Sequence, residues 1–169
     1  VIEQMELLRG PASTLYGSDA LAGIVAIRTR DPAAWLSGEP GDVVYGLRGG
    51  YASRDHSRLL NAHAVGQTTS GWQWLAVASQ REGGKVDNRA WRVQDGPNPT
   101  DTRRRAVLGK LSRQFADDWR AEMMLDSSRA NVDTDVVSQR FAAGRFATTT
   151  QLLADDAQQR DRLGLDLDW

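Results

Sequence analysis

The sequence predicts an all-β chain whose greater part is a run of about six antiparallel strands, one portion of a transmembrane β-barrel. Three observations predict it. From Val43 to Trp169, apolar and polar residues alternate in repeated stretches, which is the pattern of strands with two unlike faces. The connections between these stretches alternate between tight turns and long polar loops, so turns and loops must lie at opposite ends of the sheet. Aromatic residues cluster beside the short turns, as they do at a membrane interface.

The chain opens with a short apolar run, Met5, Leu7 and Leu8, which ends at Arg9-Gly10-Pro11. A segment of small residues with one aromatic follows, Ala12-Ser13-Thr14-Leu15-Tyr16-Gly17. Gly23-Ile24-Val25-Ala26-Ile27 then reads as a second strand, closed by Arg28-Thr29-Arg30. Residues 31–42 hold two prolines and two glycines and read as a linker.

Six alternating stretches come next. In the first, Val43, Tyr45, Leu47, Gly49 and Tyr51 alternate with Val44, Gly46, Arg48, Gly50 and Ala52. Ser57 to Gln67 sets Leu60, Ala62, Ala64 and Gly66 against Leu59, Asn61, His63, Val65 and Gln67. Trp72 to Glu82 places Trp72, Trp74, Ala76 and Ala78 on one face. Arg105 to Phe115 opposes Val107, Gly109, Leu111 and Phe115 to Leu108, Lys110, Ser112 and Gln114. Trp119 to Ser128 opposes Trp119, Ala121, Met123 and Leu125 to Arg120, Glu122, Asp126 and Ser128. Asp161 to Trp169 opposes Leu163, Leu165, Leu167 and Trp169 to Arg162, Gly164, Asp166 and Asp168. Strands of about 9–11 residues suit a tilted crossing of an outer membrane. Thr68-Thr69-Ser70-Gly71 and Ala116-Asp117-Asp118 are the tight turns, and residues 83–104 and 131–160 are the long loops.

The second set of faces carries Arg48, Asn61, His63, Lys110, Glu122, Asp126, Asp166 and Asp168. In a narrow sandwich these would be buried without partners, at high cost. A wide, wet barrel interior accommodates them. A soluble Greek-key sandwich or a barrel enzyme is the competing architecture, and it requires those polar residues in a dry core.

Composition narrows the function classes. The chain has 169 residues, a net charge of −1 and no cysteine. Nothing in that balance favours nucleic acid. No apolar run approaches the ~18 residues of a membrane-spanning helix. The negative mean hydropathy excludes a helical membrane protein but not a barrel, whose alternating strands dilute the signal. No catalytic constellation is present. Gly10 to Gly17 lacks the Lys-Ser/Thr ending of a phosphate loop, and Ser13 is outside any G-x-S-x-G elbow. No H-E-x-x-H pair and no cysteine ligand set exists, so no metal site is expected.

The opening segment resembles the end of the plug domain of TonB-dependent outer-membrane receptors. The residues that carry the resemblance are Ile2, Glu3, Met5, Glu6, Leu7, Leu8, Arg9, Gly10, Pro11, Ser13, Leu15, Tyr16, Gly17, Ala20, Gly23, Ile24, Val25 and Ile27. Gly17-Ser18-Asp19-Ala20-Leu21, Val25-Ala26-Ile27-Arg28-Thr29 and Asp31-Pro32-Ala33 are similar to the haem and haemoglobin receptor branch. The resemblance implies the C-terminal part of a plug at residues 1–30, a linker at 31–42, and at 43–169 the first six or so strands of a 22-stranded barrel. It implies a fragment of a longer protein, without its export signal or most of its plug.

The implied function is TonB-dependent uptake of a scarce iron-containing ligand, haem above all, across the bacterial outer membrane. A siderophore or cobalamin receptor of the same family is the alternative. A signalling or adhesion barrel without transport is the alternative from another class. Implied partners are the TonB protein through an upstream segment, outer-membrane lipid and a host haem protein. No intrinsic cofactor is implied; haem or another iron chelate is cargo.

In the family, the Arg of the RGP motif locks the plug to acidic residues of the wall. Arg9 takes that role here, with Glu122 and Asp126 as expected partners and Asp166 and Asp168 as further ones. His56, at an outer tip, is a candidate iron ligand, although a solvated turn residue is the plainer reading. Arg89, Trp91 and Arg92 in the long loop could grip a carboxylate or a host protein, against the plainer reading of an ordinary loop. Asp133-Thr134-Asp135 and Asp155-Asp156 could hold Ca²⁺, although solvated loop charge is commoner.

Overall fold

The computed structural model describes residues 2–9, 23–85, 98–115, 119–136 and 152–169, and for 7–9 and 23–27 the backbone alone. Two antiparallel sheets account for almost all of it. The first pairs β1 (Ile2–Arg9) with β2 (Gly23–Thr29), Arg9 standing opposite Gly23. The second is a six-stranded meander in sequence order: β3 (Val43–Ala52), β4 (Ser57–Gln67), β5 (Trp72–Gly83), β6 (Thr100–Gln114), β7 (Arg120–Asp135) and β8 (Leu153–Asp168). The all-β class and the antiparallel order match the sequence expectation. β3 and β8 are the two edges, so these six strands form an open wall.

The turns follow from local chemistry. At 68–71, Gly71 adopts φ of +82°, a conformation that an L side chain resists. Thr68 Oγ1 accepts from the Trp72 amide at 3.0 Å, and the Thr68 amide donates to the Trp72 carbonyl at 2.8 Å, which closes the hairpin. Phe115 and Trp119 are joined in the same way, the Phe115 amide donating to the Trp119 carbonyl at 2.8 Å. At the other end, residues 53–56 make a tight turn in which His56 has φ of +49°.

The strands overrun the expected boundaries. β6 begins at Thr100 rather than Arg105, β7 runs to Asp135 rather than Ser128, and β8 begins at Leu153 rather than Asp161. Asp133 and Asp155, read as loop residues, are therefore paired strand residues. The physical reason is that the ladder continues where the alternation stops. Above Val107, Leu125 and Leu163 both faces turn polar, yet Thr102 still pairs with Val132 and Ala130 with Gln158. Hydrophobic periodicity detects a strand only where one face is apolar.

The linker is more ordered than expected. Asp31 caps a 3₁₀ turn, Pro32–Trp35, by accepting the Ala33 amide at 2.9 Å, and Pro32 fills the first helical position, where its missing N–H costs nothing. This turn packs on β4 and β5. Val65, Leu75 and Pro32 are fully buried there. The linker's far end is tied to β4, the Gly41 amide donating to the Gln67 carbonyl and the Gln67 amide to the Asp42 carbonyl, both at 2.9 Å.

Register sorts every side chain of the wall onto one of two faces. One face carries Tyr45, Leu47, Trp74, Val107, Leu111, Met123, Leu125, Leu163, Leu165 and Leu167, most of them exposed: Tyr45 is 83% accessible and Leu165 73%. Phe115, Trp119 and Trp169 flank this band at the short-turn end, with Trp72 edge-on to Phe115 at 6.0 Å and Trp119 6.1 Å from Trp169. Arg113 lies over both the Trp72 and the Phe115 rings, at 5.4 and 5.1 Å. At the other end the band gives way to Gln80, Glu82, Arg103, Arg105, Ser127, Arg129, Gln159 and Asp161. From Phe115 to Val107 the strand rises roughly 27 Å, or about 20 Å along the membrane normal at a tilt of about 40°. Among the described residues no helix is long and apolar enough to cross a membrane, which says nothing of a barrel.

Candidate functional site

The opposite face is polar, and it is built from the alternate residues of the same strands. Near the short turns its charges pair. Lys110 Nζ donates to Glu122 Oε1 at 2.8 Å, with the Lys110 side chain almost completely buried. Arg120 donates to Glu122 Oε2 at 3.2 Å and to Asp31 Oδ2. Higher up, Arg160 donates to Asp126 Oδ2 at 3.1 Å and Arg81 to Asp55 Oδ2 at 2.9 Å. Each of these charges would be costly in a dry core; as pairs on a wet concave wall they are tolerated.

The face is hollow. A concavity of about 1020 Å³ in its upper half is lined by Arg81, Arg104, Ser128, Asp156, Gln158 and Arg160 among others. A second, of about 600 Å³, lies lower, where Ile2 and Thr29 from the first sheet approach Asn61, Leu108, Met124 and Arg162. The surface can therefore seat a polar body. Arg104 and Arg162 have no ion-pair partner among the described residues.

Glu122 and Asp126 both lie on this concave face, as expected for wall residues. Glu122 is engaged by Lys110 and Arg120, and Asp126 by Arg160. The Arg9 side chain lies outside the described residues, as do Arg89, Trp91 and Arg92. His56 sits at the end of the sheet opposite the 68–71 turn, its Nδ1 3.1 Å from the Tyr51 hydroxyl, beside a concavity of about 470 Å³ that Arg58, Glu82, Asp101, Arg103 and Asp133 share. His63 packs its ring on Trp35, centroids 4.8 Å apart. Asp101, Asp133 and Asp155 stand opposite one another across β6, β7 and β8. Among the described residues no group of three such side chains is arranged to hold a metal ion.

Two acids outside the strands are held below the ordinary carboxylate range. Asp42 accepts from the Ser37 amide at 2.8 Å and from its hydroxyl at 2.7 Å. Asp55 is lowered first by the Ser57 hydroxyl, then by the Ser57 amide and by Arg81. Hydrogen bonds to the charged form favour ionisation.

Sequence reasoning passed over Asp31, Trp35 and the pairing role of Arg120. The signal for the first was present in Asp31-Pro32, an N-cap followed by proline.

No family model matches the chain. Among curated proteins it is 30% identical over 167 residues to the "Hemin receptor" of Yersinia enterocolitica, covering 95% of this chain and 22% of that protein. It is 27% identical over 122 residues to the "Vitamin B12 transporter BtuB" of Photobacterium profundum, covering 72% of this chain and 18% of that protein. It is 57% identical over 35 residues to the "Iron-regulated outer membrane virulence protein" of Vibrio cholerae, covering 20% of this chain and 5% of that protein. The chain thus spans about a fifth or less of the length of the relatives it matches. The first is named a receptor, the second a transporter and the third an outer-membrane protein.

Proposed function

We propose that the chain is part of a TonB-dependent outer-membrane receptor that takes up a scarce iron-containing ligand, haem first. One observation carries the reading: a single sheet presents an apolar, aromatic-edged face opposite a charged, hollow one. That division suits lipid on one side and a polar plug in water on the other. The relative named as a hemin receptor, matched along nearly the whole chain, supports haem as cargo. The chain carries no catalysis in this reading.

Residues 1–30 are then the end of the plug, 31–42 the linker and 43–169 the beginning of a 22-stranded barrel in the bacterial outer membrane. TonB reaches the receptor through an upstream segment. Arg9 holds the plug against wall acids. Glu122 and Asp126 each keep acceptor capacity beyond their wall partners, since a carboxylate offers about four lone-pair sites. Arg9→Ala in the full-length receptor loosens the plug and raises passive leak of small antibiotics. Unchanged antibiotic sensitivity and transport reduce Arg9 to a turn residue. His56, Arg89, Trp91 and Arg92 are proposed ligand contacts at the outer end.

The test of the whole reading is growth of a receptor-deleted strain on haem as sole iron source, rescued by the full-length gene. A second reading, cobalamin uptake, is favoured by the similarity to a vitamin B12 transporter. Rescue of cobalamin-dependent growth instead of haem growth selects it.

A further inference from the structure

We infer that Asp31–Trp35 is an anchor that ties the chain to the barrel wall and sets the point beyond which plug movement does not pass; this rests on the receptor reading above. Asp31 uses both carboxylate oxygens. Oδ1 caps the 3₁₀ turn at Ala33, and Oδ2 accepts from Arg120 on β7. Arg120 is itself held by Glu122, and Glu122 by the nearly buried Lys110. The result is a chain of alternating charge, Asp31–Arg120–Glu122–Lys110, running from the linker across two wall strands. Removing one member leaves its neighbours unpaired in a half-buried place, so the chain resists being opened from one end.

Packing and ring contacts seat the same segment against the wall. Pro32 is fully buried. Trp35 lies against His63 of β4, and the Arg30 guanidinium lies over the Trp35 ring at 5.1 Å. Gly46 of β3 makes room for the imidazole, because a Cβ there would collide with it. The strand before this segment ends at Thr29, and the segment after it is bonded to β4 through Gly41 and Asp42. Arg30 therefore lies between the first sheet and the wall turn, its backbone in neither. A pull that has already freed the first sheet then meets Asp31, whose carboxylate is held by Arg120 of the wall. The plug can be displaced or unfolded up to that point while the linker stays in place to guide its return.

Single-molecule pulling tests this on the full-length receptor in a lipid bilayer, with force applied at the N-terminus. In the native protein the plug-release event ends with the chain freed up to Arg30. In Arg120→Gln, and in Asp31→Asn as a second variant, the same event frees residues 31–40 as well, up to the Gly41 and Asp42 bonds to β4, which lengthens it by about 34 Å at roughly 3.4 Å per residue. Arg160→Gln, which breaks a different ion pair of the same face, leaves the length unchanged. A native event that already runs through Pro40, or identical lengths in all four proteins, overturns the anchor alone. An N-terminal part that never leaves the wall as a unit overturns the receptor reading and the anchor with it.

Discussion

Leu165 offers the sharpest comparison between the two faces. It lies on the exposed face of β8, opposite Met123 and four residues from Trp169, which marks the aromatic edge of the band. Four residues along a strand are roughly 13 Å, or about 10 Å toward the bilayer centre at a tilt of about 40°. Half of the band's height of about 20 Å is the same distance, so Leu165 sits near the midplane. Leu165→Arg in the full-length receptor should therefore cost the full midplane penalty, about 2–4 kcal/mol. Gly164→Arg places the same side chain one residue away but on the concave face, where a new Cβ meets only Met124, its closest atom at 3.7 Å. That change should cost less than about 1 kcal/mol, since charge on the wet side is not taken out of water. The assay is denaturant-induced unfolding of the receptor folded into phospholipid vesicles, read from the transition midpoints at equal slope. Equal costs for the two substitutions would show that Leu165 does not face hydrocarbon, and the assignment of faces would fail.

Two further outcomes follow from local geometry. Gly46→Val drives a side chain into the His63 ring, so the receptor should lose about 1–3 kcal/mol by overpacking, and His63→Ala in the same background should recover part of it; strictly additive losses in chemical unfolding would refute the contact. Asp55 is ionised more readily in the folded turn than in the unfolded chain, so its contribution is fully present above about pH 3.9, the ordinary value, and is lost as pH falls below it. The protection factors of the Ser57 and Gly84 amides, taken against the intrinsic exchange rate at each pH, should therefore fall on acidification through that range in the native receptor. Asp55→Asn should show no such step.

The wall was legible in the sequence because one of its faces is apolar. Trp119 to Leu125 and Leu163 to Trp169 alternate so cleanly that strand, register and facing follow together. The alternation disappears above Val107, and with it the sequence evidence for strand, although the backbone ladder continues to Asp135 and Leu153. Glu122 and Asp126 were legible as concave-face acids from their parity. Their partners were not, because cross-strand neighbours such as Lys110 and Arg160 are set by register and side-chain reach rather than by position along one strand. The linker was read from its prolines and glycines as a spacer. Those residue types mark a break in regular structure, but they do not reveal that Pro32 is buried or that Trp35 meets His63. Long-range packing of that kind leaves no periodic trace.

The central claim is that this sheet separates lipid from a wet interior, and a residue-by-residue scan of β8 tests it most directly. Nitroxide labels placed singly at positions 162 to 168 of the full-length receptor in bilayers report collisions with oxygen, which concentrates in lipid, and with a water-soluble nickel chelate. The account predicts oxygen maxima at 163, 165 and 167 and chelate maxima at 162, 164, 166 and 168, a period of two without a break. Equal accessibility of both sets to the chelate would contradict it.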